Sequence, residues 1–247
     1  RQGDPGTSRF FVSLEDEVIK LYGGSSLEKL IKKIQPNEDL SYEAKNLVKN
    51  IERAQRGIEG RNFEIRKNVL QYDDVINEQR KVIYEERDNV LNDANLDEKI
   101  QEMVKRVISD AAQMYLYKDK DYVGYLRHLY NTFMPENTLL IPNIDKMSLS
   151  EIVDYTYEIS KRVYDLKKIL IGIDKLKELE KKILLEVVDS YWIDHIDAMD
   201  QLRQVIGLAA IGQKDPVKEY TIQAYDMFEE LNKNIRCETI KYLYKFN

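Results

Sequence analysis

No proline interrupts the stretch from Ser41 to about Leu91, and across it apolar or semi-apolar side chains recur at Leu47, Ile51, Ala54, Ile58, Ile65, Val69, Tyr72, Ile76 and Ile83. Spacing by three and four is the signature of one amphipathic helix. At about 1.5 Å per residue such a helix is roughly 75 Å long, more than the diameter of a small domain. One neighbour cannot bury it. A helix of that length carries separate bodies along its flank, which points to a scaffold or lever rather than to a pocket. Its other side alternates Arg53, Arg56, Arg61, Arg66 and Lys67 with Glu52, Glu59, Glu64, Asp73 and Asp74, the pattern of a solvated face. Gly57 and Gly60 lie inside the pattern. Each costs a helix about 1 kcal/mol against alanine, so either the helix kinks there or another backbone comes close, and close approach is the reading adopted.

With 247 residues the chain can bury a sizeable core as one or two domains. Its 33% charged and 43% hydrophobic residues, with only 5 prolines and 10 glycines, describe a soluble helical protein. A net charge of -6 argues against broad nucleic-acid binding. No run approaches the roughly 18 apolar residues of a membrane span, so membrane contact is expected to be peripheral. Cys237 is alone, which excludes a disulfide framework or a cysteine metal site and suits a reducing cytosol. The opening Arg1-Gln2-Gly3-Asp4 has neither an initiating methionine nor a leader, and the chain is expected to be a piece of something longer.

Gly3-Asp4-Pro5-Gly6 reads as a turn and Arg9 to Leu14 as a short strand with nobody in this chain to pair with, hence the closing strand of an upstream domain. Ser13 with Asp16 resembles a cap for a short helix to Tyr22, ended by Gly23-Gly24, and another runs from Leu27 to Gln35. After the long helix, Asn92 to Asn95 is a polar break, and Leu96, Ile100, Met103, Val107, Ile108 and Ala111 mark a second amphipathic helix. Tyr122 to Phe133 makes a short helix. Pro135 and Pro142 bracket a loop, and Ser148 with Glu151 caps a helix to about Ile171. This tyrosine-rich block reads as a small helical subdomain set between two halves of the scaffold. Gly172 and Asp174 then separate it from a helix whose apolar face runs from Leu176 through Val187, Tyr191, His195 and Met199 to Ile206. A break at Gly207 to Asp215 leads to a return helix with Asp215 as cap and Pro216 in first position, carrying Tyr220, Ala224, Phe228, Leu231, Ile235 and Leu243. Two long helices with a short loop make an antiparallel hairpin.

The hairpin tip, Gly207-Leu208-Ala209-Ala210-Ile211-Gly212, is uncharged where an exposed turn is normally polar. It either packs on a neighbour or meets an extended polypeptide or a membrane-protein partner. Elsewhere the sequence lacks a catalytic constellation. There is no G-x-x-x-x-G-K-[ST] or G-x-G-x-x-G run. His128 and His195 lie on separate helices without a glutamate three residues before, and His195, near Trp192 on an apolar stripe, reads as a satisfied core histidine. Asp73 and Asp74, being adjacent on a helix, point apart.

The motifs resemble the carboxy-terminal half of SecA, the bacterial preprotein-translocase ATPase. Arg1 to Phe10 is similar to the end of that family's second motor domain. Glu59-Gly60-Arg61-Asn62-Phe63-Glu64-Ile65-Arg66-Lys67, Leu70-Gln71-Tyr72-Asp73-Asp74-Val75 and Asn77-Glu78-Gln79-Arg80 resemble its long scaffold helix. Asp189-Ser190-Tyr191-Trp192 with His195, Ala198-Met199-Asp200 and Leu202-Arg203-Gln204 resemble the first helix of its two-helix finger, and Gln213-Lys214-Asp215-Pro216 with Glu219-Tyr220 the second. The likeness is weakest from about Asn92 to Ile173, where the family has a variable helical wing.

The resemblance implies an all-α fold with one short N-terminal strand left from the motor. Its parts are 1–36, end of the second nucleotide-binding motor domain; 37–91, the long scaffold helix; 92–173, the wing; and 174–247, the finger. It implies an ATP-driven motor that pushes unfolded preproteins through the SecY channel, with ATP and Mg2+ bound mostly by upstream domains. Arg1 aligns with an arginine reaching the nucleotide phosphates, and its loss is expected to hurt hydrolysis more than binding. Leu208, Ala209, Ala210 and Ile211 are the expected polypeptide and channel contact. The implied location is cytoplasmic, peripheral on the inner face of the bacterial membrane with its acidic lipids, without nucleic acid; a homodimer is also admitted. The family's tip usually carries a basic residue and an aromatic, where this chain has Ala209 and Ile211, and the cysteine-rich zinc tail of many members is not in the sequence. Both departures favour an accessory SecA paralogue serving a restricted substrate set, although truncation alone also accounts for the missing tail. The competing reading is a free-standing helical adaptor descended from such a motor and working without ATP.

Overall fold

The computed structural model describes residues 3–7, 11, 16, 45–92, 96–209 and 215–245. The expected strand at Arg9 to Leu14 and the short helices ending at Tyr22 and Gln35 lie outside them. Among the described residues the fold is helical throughout: α1 Lys45–Leu91, α2 Leu96–Leu116, α3 Tyr122–Thr132, a short 3-10 turn Ile144–Lys146, α4 Leu149–Ile171, α5 Ile173–Ala209 and α6 Pro216–Lys245. The long stripe does make one helix, of 47 residues. The chain divides into two compact units, 1–71 and 72–247, and the division falls inside α1.

Within the first unit, Phe63, Ile65, Val69 and Leu70 are exposed and Ala54 is buried, while Arg56 and Glu52 form a surface pair at 2.6 Å. The close approach expected at Gly60 is not seen. A Cβ built there meets nothing within 4 Å, and α1 runs through it as regular helix, so this glycine is tolerated by the helix rather than required by a neighbour.

The second unit is built from the rest of α1, the block α2 to α4, and the hairpin α5/α6. Local signals set its boundaries. Ser148 and Glu151 close a full capping box at the start of α4, with Ser148 N donating to the Glu151 carboxylate at 2.7 Å. That bond and the Ser148 hydroxyl hold the Glu151 carboxyl below its usual range. Asp121 caps α3 by accepting from Gly124 N at 2.8 Å, and a Cβ at residue 124 would sit 2.1 Å from Asp121 Oδ2 and 2.9 Å from the Tyr115 ring, so a larger residue there would push the cap aside. Asp215 accepts from Val217 N at 3.0 Å with Pro216 as first residue of α6, as the sequence indicates. The joint between α4 and α5 is tighter than expected. Gly172 alone, at φ +91°, turns the chain, and α5 starts at Ile173 with Asp174 already in its first turn.

The block α2 to α4 does not keep a core to itself. Ile100, Val104 and Ile108 of α2, Tyr125 and Leu129 of α3 and Ile152 of α4 join Ile83 and Val90 of α1, Leu184 and Val188 of α5 and Ile235, Ile240 and Leu243 of α6 in one buried cluster. The end of α6 is gripped by this block. Tyr244 stacks on Tyr164 with centroids 5.1 Å apart, meets Phe133 edge-on at 5.0 Å, and has its hydroxyl 2.8 Å from Ser160 Oγ. Lys167 Nζ donates to the Leu243 carbonyl at 2.7 Å and to the Tyr244 carbonyl at 3.3 Å, placing a cation on carbonyls that a helix end leaves unpaired. Lys245 Nζ also donates to the Asn131 carbonyl. Beneath them Tyr164 Oη donates to the buried Glu180 carboxylate at 2.6 Å, and burial pushes the Glu180 carboxyl above its usual range.

Candidate functional site

Within the second unit α1 runs antiparallel to α5, and four polar contacts cross between them in steady register: Asp73 to Arg203, Gln79 to His195, Arg87 to Asp189, and the Leu91 carbonyl to Lys181. Two are exposed ion pairs. Arg203 Nη1 lies 3.4 Å from Asp73 Oδ1, with its guanidinium 5.7 Å from the centre of the Tyr72 ring. Arg87 Nη2 donates to Asp189 Oδ2 at 3.0 Å, while its Nε lies 3.0 Å from Oδ1 without the alignment of a hydrogen bond. The fourth contact is a cap: Lys181 Nζ donates to the last carbonyl of α1 at 2.7 Å.

The Gln79 contact differs in kind. Gln79 is 8% exposed and His195 5% exposed, and their side chains meet in the interior. Gln79 Nε2 donates to the Ala224 carbonyl of α6 at 2.9 Å, which leaves its Oε1 to face His195 Nε2 at 2.9 Å. An amide oxygen only accepts, so the Nε2 nitrogen of His195 carries a proton and donates it to this contact. Burial lowers the His195 pKa and so favours the neutral ring. Trp192 and Phe228 flank the ring at 5.6 and 5.9 Å between centroids. One glutamine therefore ties the scaffold helix to both arms of the hairpin at once. Losing it would strand a buried donor or acceptor, at a cost of about 1–3 kcal/mol.

Toward the hairpin tip the same three helices pack through a small cluster of Met199, Ile206, Tyr220 and Ala224, with Tyr72, Val75 and Ile76 of α1 half-buried against it. Tyr72 meets Tyr220 edge-on, 4.8 Å between centroids. The expected contact residues come just beyond. Leu208 and Ala209 belong to the last turn of α5, but their side chains, and Ala210 and Ile211 altogether, lie outside the described residues, as does Arg1. The structure thus brings His195 into a site and says nothing of the tip. Gln79 was not expected as a site residue, although it interrupts the apolar progression Tyr72, Ile76, Ile83 at a position where that stripe should be buried. A polar residue on a core stripe is the usual sign of a specific buried partner. The described residues contain no group of three or more His, Cys, Asp or Glu that could hold a metal, and no helix long and apolar enough to cross a membrane.

Comparison with known proteins matches residues 42–247 to the family model of the SecA wing and scaffold domain, and residues 1–39 to that of the SecA P-loop domain. The chain belongs to the SecA family. It is 66% identical over 248 residues to protein translocase subunit SecA 2 of Clostridioides difficile (strain 630), a match that takes in 100% of this chain and 32% of that relative. To SecA 1 of the same organism it is 47% identical over 245 residues, 99% of this chain and 28% of the relative. SecA of Finegoldia magna (strain ATCC 29328) is 46% identical over 244 residues, 98% of this chain and 27% of the relative. The chain spans about a third of the length of these curated relatives or less. The polar contacts above and the α2 to α4 block both fall inside the wing and scaffold match.

Proposed function

We propose that this chain is the scaffold, wing and finger part of an ATP-driven SecA-type translocase that moves unfolded preproteins through a SecY-type channel. The observation that carries the reading is the Gln79 tie, which holds the scaffold helix in register with both arms of the hairpin through a buried amide bonded at both its nitrogen and its oxygen. A lever must transmit displacement without slipping, and a single buried polar pair in an apolar seam is the usual way to fix register. The family membership and the names of the relatives supply the motor and its cargo class.

In this reading ATP and Mg2+ sit mostly on upstream domains, Arg1 stabilises charge at the transferred phosphoryl group, and Leu208, Ala209, Ala210 and Ile211 touch the moving polypeptide or the channel mouth. The protein works on the cytoplasmic face of the membrane as a peripheral component. The higher identity to SecA 2 than to SecA 1 of one bacterium, 66% against 47%, favours an accessory paralogue. The match of residues 1–39 to a SecA P-loop domain favours a motor over the free-standing adaptor.

The test is export per ATP hydrolysed by the full-length protein. Gln79→Leu is expected to lower that ratio about tenfold, because strokes of the motor then reach a loosened hairpin. An unchanged ratio would remove the tie from the mechanism. Ile211→Asp is expected to stop export, since a charge replaces the apolar bulk at the tip; export at the normal rate in that variant would take the tip out of the contact.

A further inference from the structure

The outward face of α4 is built like half of a coiled coil. Tyr155, Ile159, Arg162, Leu166 and Ile169 follow one another at steps of four, three, four and three. Such spacing puts them in one line along the helix. The opposite side of α4 is the one used by the fold, where Val153, Thr156, Ser160 and Tyr164 are buried. Ile159 is half-buried against the core and the Tyr155 hydroxyl donates to the Leu140 carbonyl, but the C-terminal half of the line is open among the described residues: Leu166 is 61% exposed, Ile169 78% and its neighbour Leu170 85%. At its N-terminal half Met147, Tyr155 and Ile159 floor a groove of about 420 Å³. Contiguous apolar surface of this kind on a folded domain marks a binding face.

A row of acids runs beside the line. Glu151, Glu158 and Asp165 are spaced by seven and fall along one edge, the position that selects partners in paired helices. Glu151 is engaged in the capping box and Asp165 stands 3.8 Å from Lys168, but Glu158 has no ion pair among the described residues. We propose that this face docks an amphipathic helix of a partner protein, one that carries basic residues along the edge of its apolar stripe and an acidic residue opposite Arg162. A second copy of this chain fits poorly. Packed antiparallel it would set acid row against acid row, and packed parallel it would set Arg162 against itself. An anionic lipid surface is likewise disfavoured by the acidic edge. The inference is independent of the motor reading, because it concerns a surface that neither the tip nor the nucleotide uses.

The probe is a labelled synthetic helix of about three heptads with leucine and isoleucine on the seam, one glutamate facing Arg162 and lysines along the edge, compared with a version whose edge lysines are glutamates. Binding to the full-length protein is read by fluorescence anisotropy without nucleotide, so that failure here leaves the motor reading standing and loss of export leaves this one standing. The lysine probe is expected to bind about tenfold tighter than the glutamate probe. Glu158→Lys with Asp165→Lys should reverse that preference, and Leu166→Ser with Ile169→Ser should weaken both probes about tenfold while leaving the melting temperature in place, because those side chains are exposed. Equal binding of the two probes, a preference unmoved by the charge swap, or no saturable binding would overturn the proposal. So would an Ile169→Cys variant that resists maleimide in the full-length protein, since the protein would then cover this face itself.

Discussion

The two ends of the α5/α6 hairpin are made from the same pair of helices and are held in opposite ways. At the base, Leu184, Val188, Ile235 and Leu243 sit in the large cluster shared with the α2 to α4 block and α1, and Tyr244 is clasped by Phe133, Ser160, Tyr164 and Lys167. Toward the tip the buried set shrinks to Met199, Ile206, Tyr220 and Ala224, with the Gln79 tie and the exposed Asp73–Arg203 pair beside it. Apolar burial stabilises in proportion to area, whereas exposed pairs contribute little, so the base is the anchor and the tip end is the part that opens first.

The strongest way to break the contrast is at the base. Tyr244→Ala removes a buried ring and two aromatic contacts, and calorimetry is expected to show a loss of about 3–5 kcal/mol, the range for deleting a buried aromatic. A loss under about 1 kcal/mol would mean the base is no anchor. Next comes the tie itself. Gln79→Leu should cost about 1–3 kcal/mol by stranding His195, and adding His195→Phe should recover part of the loss, because replacing both members of a buried polar pair is milder than removing one. Additive losses in the double variant would show that the two side chains act separately.

Acid sharpens the contrast further. Burial lowers the His195 pKa, so the native state resists the proton that the unfolded state takes up below the ordinary value of 6.5. The contribution is therefore present above that value and lost as pH falls from it toward the lowered native value. Glu180 at the base works the other way: its raised pKa favours the fold at low pH, and that contribution is lost as pH rises through the native value. His128, also lowered by burial, adds to the His195 slope. Melting temperatures measured from pH 7 down to about 5 should fall less steeply in His195→Gln than in the wild type; parallel profiles would show that His195 does not titrate against folding. The smallest effect belongs to Arg203→Ala, where an exposed pair and a cation over Tyr72 together amount to about 1 kcal/mol, a difference that should shrink in high salt.

The long helix, the capped start of α4 and the hairpin were legible in the sequence because each rests on local signals: the three-and-four spacing, Ser148 with Glu151, and Asp215 before Pro216. The joint at Gly172 was read less well. Asp174 looks like a cap, yet one glycine at positive φ turns the chain by itself, which spacing alone does not disclose. Gly60 misled because its cost in a helix suggested a neighbour that the described residues do not supply. The Gln79 tie was half legible. A glutamine on an apolar stripe announces a buried partner, but that partner lies 116 residues further on and a carbonyl of a third helix completes it, so only three-dimensional packing names them. The shared core of the α2 to α4 block and the hairpin is hidden for the same reason, since periodicity says which face is apolar and not what covers it.

The central claim is that the hairpin is fixed at its root and held near its end by one buried glutamine. Native-state amide hydrogen exchange along α5 and α6, in the wild type and in Gln79→Leu, tests it most directly. The account predicts high protection at residues 184–192 and 231–243 in both proteins, weaker protection at 199–206 and 216–224 in the wild type, and collapse of that second set alone in the variant. Uniform protection along both helices, or a variant that loosens root and end equally, would contradict it.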